Sequence, residues 1–459
     1  MKMKKFLAVL LAVVMCVMCM SLTSFAATKN GISLNKTSVS IAIGKSYTLK
    51  PTLSGMSKAT VQWSSSDKSV ATVSKGKVTA KGIGTAKITV KVKDTSYKAE
   101  CTVKVVRGGK ISSELTGQAL VDKIKVGINL ASALEVYHQE WMGEVENELD
   151  YETLWSQPRV TKKYFTTLKK AGFNAVRIPV TWQDHMDKDG NISKAWMDRV
   201  QEVVDYAYDN GLYVILNTQH EYDWMLDMRL YSSATAKKFE KVWTQIAKRF
   251  KNYDERLIFE SMNEPRTPRS EKEWGGGTAV ERKVLNKYNK VFVDTIRASG
   301  GNNKNRCLLI PTYAAKYYSD ALNDIEIPNN DNKVIVDIHA YEPWDFAMNT
   351  AKGSETKFTA DVKAEVDVVM NVINNCLISK GIPVIMGEFG VINKNNTSDR
   401  VKYSKYYVSS AKKLGIPCLW WENGYSEYNY ESEGFGLMDR NTYEWYFPEL
   451  TKAIVDAAK

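Results

Sequence analysis

KKAGFNAVRIPVTW, residues 169–182, joins the end of a helix to a buried strand. The run leading into it, VTKKYFTTLKKAG (160–172), places its apolar residues at helical spacing and stops on Gly172. NAVRIPV (174–180) is a short apolar run that carries one arginine, Arg177. The same unit recurs on either side. Strand-like runs lie at 126–130, 213–218, 257–264, 307–312, 334–341, 383–390 and 417–424, and amphipathic segments such as 358–376 and 399–415 separate them. Eight strands alternating with helices predict an α/β fold, a (β/α)8 TIM barrel occupying residues 119–459. A doubly wound open sheet is the alternative. No Gly-rich phosphate loop follows the first strand, which favours the barrel.

Upstream the texture changes. Residues 29–106 alternate apolar and polar at period two, with frequent Gly and Ser-Asp turns, which predicts a small all-β sandwich of Ig-like type. Residues 107–118 are polar and glycine-bearing and read as a linker. At the start, Lys2, Lys4 and Lys5 precede an apolar run from Phe6 to Met20 and the small-residue site Ser24-Phe25-Ala26. That is a signal peptide cleaved after Ala26, and the expected location is extracellular. The apolar run is shorter than the roughly 20 residues a membrane span needs. The formal charge is +11, and the basic residues read as dispersed, which gives no basis for a nucleic-acid partner. Cys101, Cys307, Cys376 and Cys418 lack the paired spacing of a zinc site and read as buried thiols.

In a (β/α)8 barrel the active site forms where the strands end, so polar residues closing apolar strands are the candidates. They are Asn129, Arg177, Gln219 with His220, Asn263 with Glu264, His339 with Tyr341, Glu388, and Trp421 with Glu422 and Asn423. His185 also falls just beyond a strand end. Glycoside hydrolysis needs two carboxyl groups flanking one bond, and Glu264 and Glu388 close the fourth and seventh predicted strands. Arg177 supplies a fixed charge that can keep one carboxylate ionised, while burial can raise the pKa of the other. Spacing does not say which is which.

Several motifs, in order along the chain, carry a family resemblance. They are Glu152–Trp155, Ala171–Trp182, Phe259–Pro265, His339-Ala340-Tyr341, Gly387–Gly390, Trp420–Gly424 and Gly434–Arg440. From about Val126 to Glu449 the chain resembles glycoside hydrolase family 5, in particular its bacterial endoglucanases and xyloglucanases. Residues 29–106 resemble a bacterial Ig-like domain of group 2, through Trp63–Asp67, Val70–Val73, Gly76–Ala80 and Gly84–Ala86.

The family resemblance implies a secreted endo-β-1,4-glucanase acting by double displacement with retention and needing no metal or other cofactor. Glu264 would be the acid/base and Glu388 the nucleophile. Arg177 would support the nucleophile, Asn263 would bind the 2-hydroxyl, His339 and Tyr341 would position the carboxylates, and Trp421 would stack under the sugar. Trp420, alternating to the other side, reads as core. The implied partner is a β-glucan: a cellulose-like glucan, mixed-linkage glucan or xyloglucan, with xylan and mannan as alternatives. The protein is expected to be a monomer whose Ig-like domain contacts a cell surface or polysaccharide.

Two departures stand out. Gln219-His220 replaces the family's His-His pair, and Ala131-Ser132-Ala133 stands where a Gly-Asn-Thr is expected; both are expected to alter substrate range. A non-catalytic glycan-binding protein is the rival reading, and a metal site of His220, Glu221 and His339 a third. Trp141, Trp155, Trp182, Trp224 and Trp344 are candidates for lining the cleft.

Overall fold

The computed structural model describes residues 30–56, 58–427 and 433–459. The signal-peptide expectation lies outside them. The chain divides into two compact units at Gly109/Lys110.

In the first unit, β1 (Gly31–Leu34) pairs with β4 (Pro51–Ser54). A four-stranded sheet runs β2 (Ser38–Ala42), β9 (Lys98–Val106), β8 (Gly84–Val92) and β5 (Val61–Ser65), and a three-stranded sheet runs β3 (Ser46–Thr48), β7 (Lys77–Ala80) and β6 (Ala71–Ser74). Period-two alternation buries Ile88, Val90, Cys101 and Val103 between the sheets, and Trp63 packs against that core. The basic residues are not dispersed as the sequence reading had them. Residues 30–109 hold thirteen lysines and Arg107 against only Asp67, Asp94 and Glu100, a net charge of +11. Residues 110–459 hold 45 basic and 49 acidic residues.

The second unit contains the predicted barrel. The strands β10 (Val126–Asn129), β11 (Ala175–Ile178), β12 (Tyr213–Leu216), β13 (Leu257–Glu260), β14 (Leu308–Pro311), β15 (Val334–His339), β16 (Val384–Phe389) and β17 (Cys418–Trp420) form a closed parallel barrel. Each is buried along its length apart from Tyr213, which explains the near-continuous apolar runs. Of the helices between them, those that begin at Lys162 and Thr397 lack a side-chain cap, and those that begin at Lys194, Ser233, Ala279 and Ala360 are held at their starts by side-chain caps. The clearest is the reciprocal Thr278–Glu281 box on Ala279–Ala298.

Alternation along the strands stacks the interior in layers. The lower layer is Ala175, Ile215, Ile258, Leu309, Ile335, Ile385 and Leu419. It is closed from below by Ile111, Leu115 and a short helix, α1 (Gly117–Val121). Residues 110–118, read above as linker, therefore belong to the barrel unit. Their apolar side chains plug its floor, and Lys333 Nζ donates to the carbonyls of Ser113 (2.8 Å) and Leu115 (2.6 Å). Two residues further along the strands the interior turns polar, with Asn129, Arg177, Asn217, Glu260 and Asp337 all fully buried. Register shifts after Ile338 and after Met386 then pair His339 with Glu388 at the mouth, the re-aiming that a bulge produces.

Candidate active site

A buried guanidinium is tolerable only when its charge and donors are met, and Arg177 is met on every side. Nε and Nη2 donate to the two oxygens of Glu260, both at 2.6 Å. Nη1 donates to Glu388 Oε1 (2.6 Å) and Asn129 Oδ1 (3.0 Å). Nη2 also donates to Asn263 Oδ1 (2.8 Å) and Gln219 Oε1 (3.4 Å). Burial alone would lower its pKa, but Glu260, Glu388 and Asp337 hold it well above the ordinary value. Because Arg177 takes the amide oxygens of Asn263 and Gln219, their N–H groups remain for the cleft that both residues line. Asn217 Nδ2 also donates to Gln219 Oε1 (2.6 Å), fixing that orientation a second time.

His339 lies between acids. Nδ1 is 2.8 Å from Glu264 Oε1 and 3.5 Å from Glu388 Oε2, and Nε2 is 3.2 Å from Asp337 Oδ2. With a carboxylate at each ring nitrogen, both nitrogens donate, and the imidazole carries a charge. Burial would depress its pKa, yet Glu388, Asp337 and Glu264 raise it to about 10. The converse holds for Glu264, which burial would raise but which the His339 hydrogen bond and charge lower to about 2. Asp337 fits beneath the ring only because its neighbour is Gly387. A Cβ there would lie 2.2 Å from Asp337 Oδ1.

Glu388 is gripped at both oxygens, by Arg177 at Oε1 and by the Tyr341 hydroxyl at Oε2 (2.8 Å). Burial, and then the Glu388 charge, keep that hydroxyl protonated. One oxygen of Glu264 lies within 4.8 Å of one of Glu388. Glu264 itself stands four residues past the end of β13, on the loop rather than the strand. The carboxylates open into a cleft of about 490 Å³ walled by Trp274, Tyr318, Trp344, Trp421 and Phe435.

The other candidates divide. His220 lines the cleft beside Tyr137 (4.9 Å between rings) and Tyr222 (5.0 Å), and burial lowers its pKa to about 3, so it is neutral. Trp344 is a cleft wall, and Trp155 stands 6.1 Å from His220. Trp182 is core, Trp224 is held by Glu221 (2.7 Å), and Trp141 is 66% exposed with its N–H on Gln139. Trp420 is buried, its N–H on the Phe435 carbonyl. Glu422 is locked to Arg440 (2.7 Å) and Tyr164 (3.1 Å), and Asn423 ties down the chain at Glu433 and Tyr425. His185 stacks on Trp196 at 3.5 Å inside the core.

The metal-site reading does not survive. Glu221 accepts from Trp182 N and Trp224 Nε1 and does not meet His220 or His339. Among the described residues, the two groupings with ligand geometry are Glu260/Asp337/His339 and Glu264/His339/Glu388. Both centre on a histidine whose ring nitrogens already donate to carboxylates, and a protonated imidazole is no ligand. Sequence reasoning missed Glu260 and Asp337, each a lone charge two residues above a floor residue of its strand. It also missed Trp274, which lies in a loop where no periodicity applies. Arg266 stacks over that ring at 4.2 Å.

A carboxylate pair at the C-terminal mouth of a (β/α)8 barrel, in an open aromatic cleft, defines a glycoside hydrolase. Comparison with known proteins supplies the family. Residues 138–427 match the model "Cellulase (glycosyl hydrolase family 5)", and the chain belongs to that family. Residues 29–103 match the bacterial Ig-like domain, group 2. Endoglucanase 1 of Ruminococcus albus is 46% identical over 334 residues, 72% of this chain and 79% of its own. The structure of a GH5-4 broad specificity endoglucanase from Ruminococcus champanellensis with bound cellotriose is 41% identical. It superposes with a TM-score of 0.70, covering 76% of this chain and all of its own. A xyloglucan-specific endo-β-1,4-glucanase from a metagenomic library, also in complex with cellotriose, is 39% identical with a TM-score of 0.69 over 73% and 97% of the two chains.

Proposed function

We propose that this chain is a secreted endo-β-1,4-glucanase that cleaves internal linkages of cellulose-like glucans, mixed-linkage glucan or xyloglucan with retention of configuration. The observation that carries it is the separation of the carboxylates. Oxygens within 4.8 Å fit the close spacing of a retaining pair better than the wider gap that admits a water, which supports a double displacement. An open cleft lined by aromatic side chains suits a chain bound at an internal linkage. The two relatives with bound cellotriose, one of broad specificity and one xyloglucan-specific, support a glucan backbone. The leader-like residues 1–26 support export.

Glu388, paired with Arg177 and aimed by Tyr341, attacks the anomeric carbon and forms a glycosyl ester. As the glycosidic C–O bond breaks, Glu264 protonates the leaving oxygen. Asn263 and Gln219 offer N–H donors to the sugar hydroxyls, and Trp421 offers an aromatic face to the ring. In the second step Glu264 takes a proton from water, which attacks the same carbon from the side the leaving group vacated and releases Glu388.

The resting proton lies on His339, and the Glu264–His339 pair titrates as a unit. That arrangement suits the chemistry. In the first step the pair loses one proton while Glu388 loses its negative charge to the ester, so the net charge of the buried site stays constant. The removal of Glu388's charge also takes away the strongest support for a protonated His339.

Proton NMR of early products from lichenan tests the stereochemistry: the β-anomer should appear first, and an initial α-anomer would overturn the double displacement. Glu388→Gly should abolish turnover and regain part of it with azide. An unrescued variant would take the nucleophile role from Glu388. A reducing-sugar assay on carboxymethylcellulose, lichenan, xyloglucan, xylan and mannan separates the substrates.

A further inference from the structure

The outer face of the sheet β2-β9-β8-β5 consists of Lys87, Lys91, Lys98, Lys104, Glu100 and seven serine, threonine or glutamine side chains, with the half-buried pair Ala42 and Val106 at one end. Lys91 stands directly opposite Lys98 across the β8–β9 ladder. Like charges in that position destabilise a sheet, so folding alone does not account for them. Glu100 pairs with Lys87 and Lys98, both at 3.1 Å, while Lys91 and Lys104 have no carboxylate partner among the described residues. The lysines fall in two groups, Lys91/Lys98 and Lys87/Lys104. Lys87 and Lys91 are four residues apart on one strand, which separates the groups by roughly 13 Å.

We propose that this face binds a linear acidic polysaccharide, a polyuronate. Charge complementarity is the main argument: +11 on the small unit against an excess of acidic residues on the barrel unit concentrates the chain's attraction for polyanions here. The texture of the face selects among polyanions. No strand position on it is aromatic, so neither a neutral sugar ring nor a nucleic-acid base has a stacking surface. Its apolar positions are limited to Ala42 and Val106, a half-buried pair at the end of β2 and β9, too little to enter a lipid surface. Arg107 is the unit's single arginine, whereas planar, bidentate capture of phosphate favours arginine. Hydrated lysine charges interspersed with hydroxyl and amide groups match carboxylates interspersed with sugar hydroxyls. Bound this way, the small unit would hold the enzyme in an acidic polysaccharide matrix while the barrel works on neutral glucan.

The test is affinity electrophoresis of the full chain through gels containing sodium polygalacturonate, with neutral dextran as the blank. Migration should be retarded at low salt and freed as salt rises, since attraction to a polyanion falls linearly on logarithmic axes. Joint replacement Lys87→Ser, Lys91→Ser, Lys98→Ser and Lys104→Ser should weaken retention on the order of 100-fold. Arginine at the same four positions should keep it, and lichenan turnover should be unchanged in both variants. Equal retention of wild type and the serine variant, with both folded by circular dichroism, would overturn the proposal. So would stronger retention, at equal anionic charge, by poly(glycerol phosphate), duplex DNA or phosphatidylglycerol vesicles.

Discussion

Glu260→Gln isolates the contribution of a carboxylate that never meets substrate. Glu260 is fully buried and takes two donors of Arg177 at 2.6 Å each. Glutamine keeps the shape but removes the charge and presents an N–H₂ to a guanidinium N–H, so one hydrogen bond becomes a clash. Unit charges about 4 Å apart attract by about 4 kcal/mol at an effective dielectric of about 20. Breaking one side of a buried pair costs about 3–5 kcal/mol. In a unit of this size that is a fall in Tm on the order of 4–7 °C. Activity suffers separately. With Glu260 neutral, Glu388 becomes the guanidinium's remaining direct carboxylate partner and a weaker nucleophile, so kcat on lichenan should drop on the order of tenfold or more. KM should stay within about threefold, because the cleft walls are untouched. Calorimetry and initial rates read both effects. Asp294→Asn, which opens the exposed Lys290–Asp294 pair (2.7 Å), is the control and should cost under about 1 kcal/mol. A Glu260→Gln enzyme with Tm within about 2 °C of wild type and undiminished kcat would refute the reasoning.

Two other perturbations bear on the same site. His339 has its pKa raised in the fold, so the stability it contributes is complete below about pH 6.5 and is lost as pH rises towards about 10. The unfolding free energy of wild type should therefore decline between pH 7 and 10, by up to about 1.4 kcal/mol per pH unit, and His339→Gln should flatten that decline; parallel curves would assign the slope to other groups. Trp274→Ala should raise KM for polymeric glucan on the order of tenfold with kcat nearly preserved, while Trp141→Ala, outside the cleft, should leave both within about twofold. Equal effects of the two would mean that Trp274 is not a cleft wall for the substrate.

What could be read in advance follows from which physical rule governs each residue. Barrel strands are buried on both faces, so their apolar runs stand out, and a polar residue closing one marks the mouth. That rule found Arg177, Asn263, Glu264, His339, Tyr341, Glu388 and Trp421 together. It has no way to separate a cleft residue from one turned into packing, which is why Glu422, Asn423 and His185 passed the same filter. Depth was legible but went unused: Glu260 follows Ile258 and Asp337 follows Ile335 by two residues, one step above the floor. Trp274 and Tyr318 come from loops, where position depends on tertiary packing that no sequence period encodes. The charge asymmetry was visible as composition, but only after the boundary at Gly109 divided the count.

The departures at Gln219 and in the first strand change what is offered to the cleft and leave the contacts among Arg177, Glu388, His339 and Glu264 intact. At Gln219 the buried network needs an oxygen or nitrogen that accepts from both Asn217 and Arg177, and the amide oxygen does so while its N–H₂ stays turned to the cleft. A neutral histidine would offer one acceptor and one N–H, so glutamine adds a donor on the substrate side and removes a flat ring. In the first strand, the N–H groups of Ser132 and Ala133 bind the Glu135 carboxylate, and Ala131 N binds the Glu422 carbonyl (3.0 Å). The backbone there is secured without polar side chains at Ala131 and Ala133. What is lost is whatever those side chains would have offered a sugar. What is kept is the Arg177–Glu388 contact on which the proposed double displacement depends, since Asn129, at the end of the same strand, still accepts from Arg177 (3.0 Å).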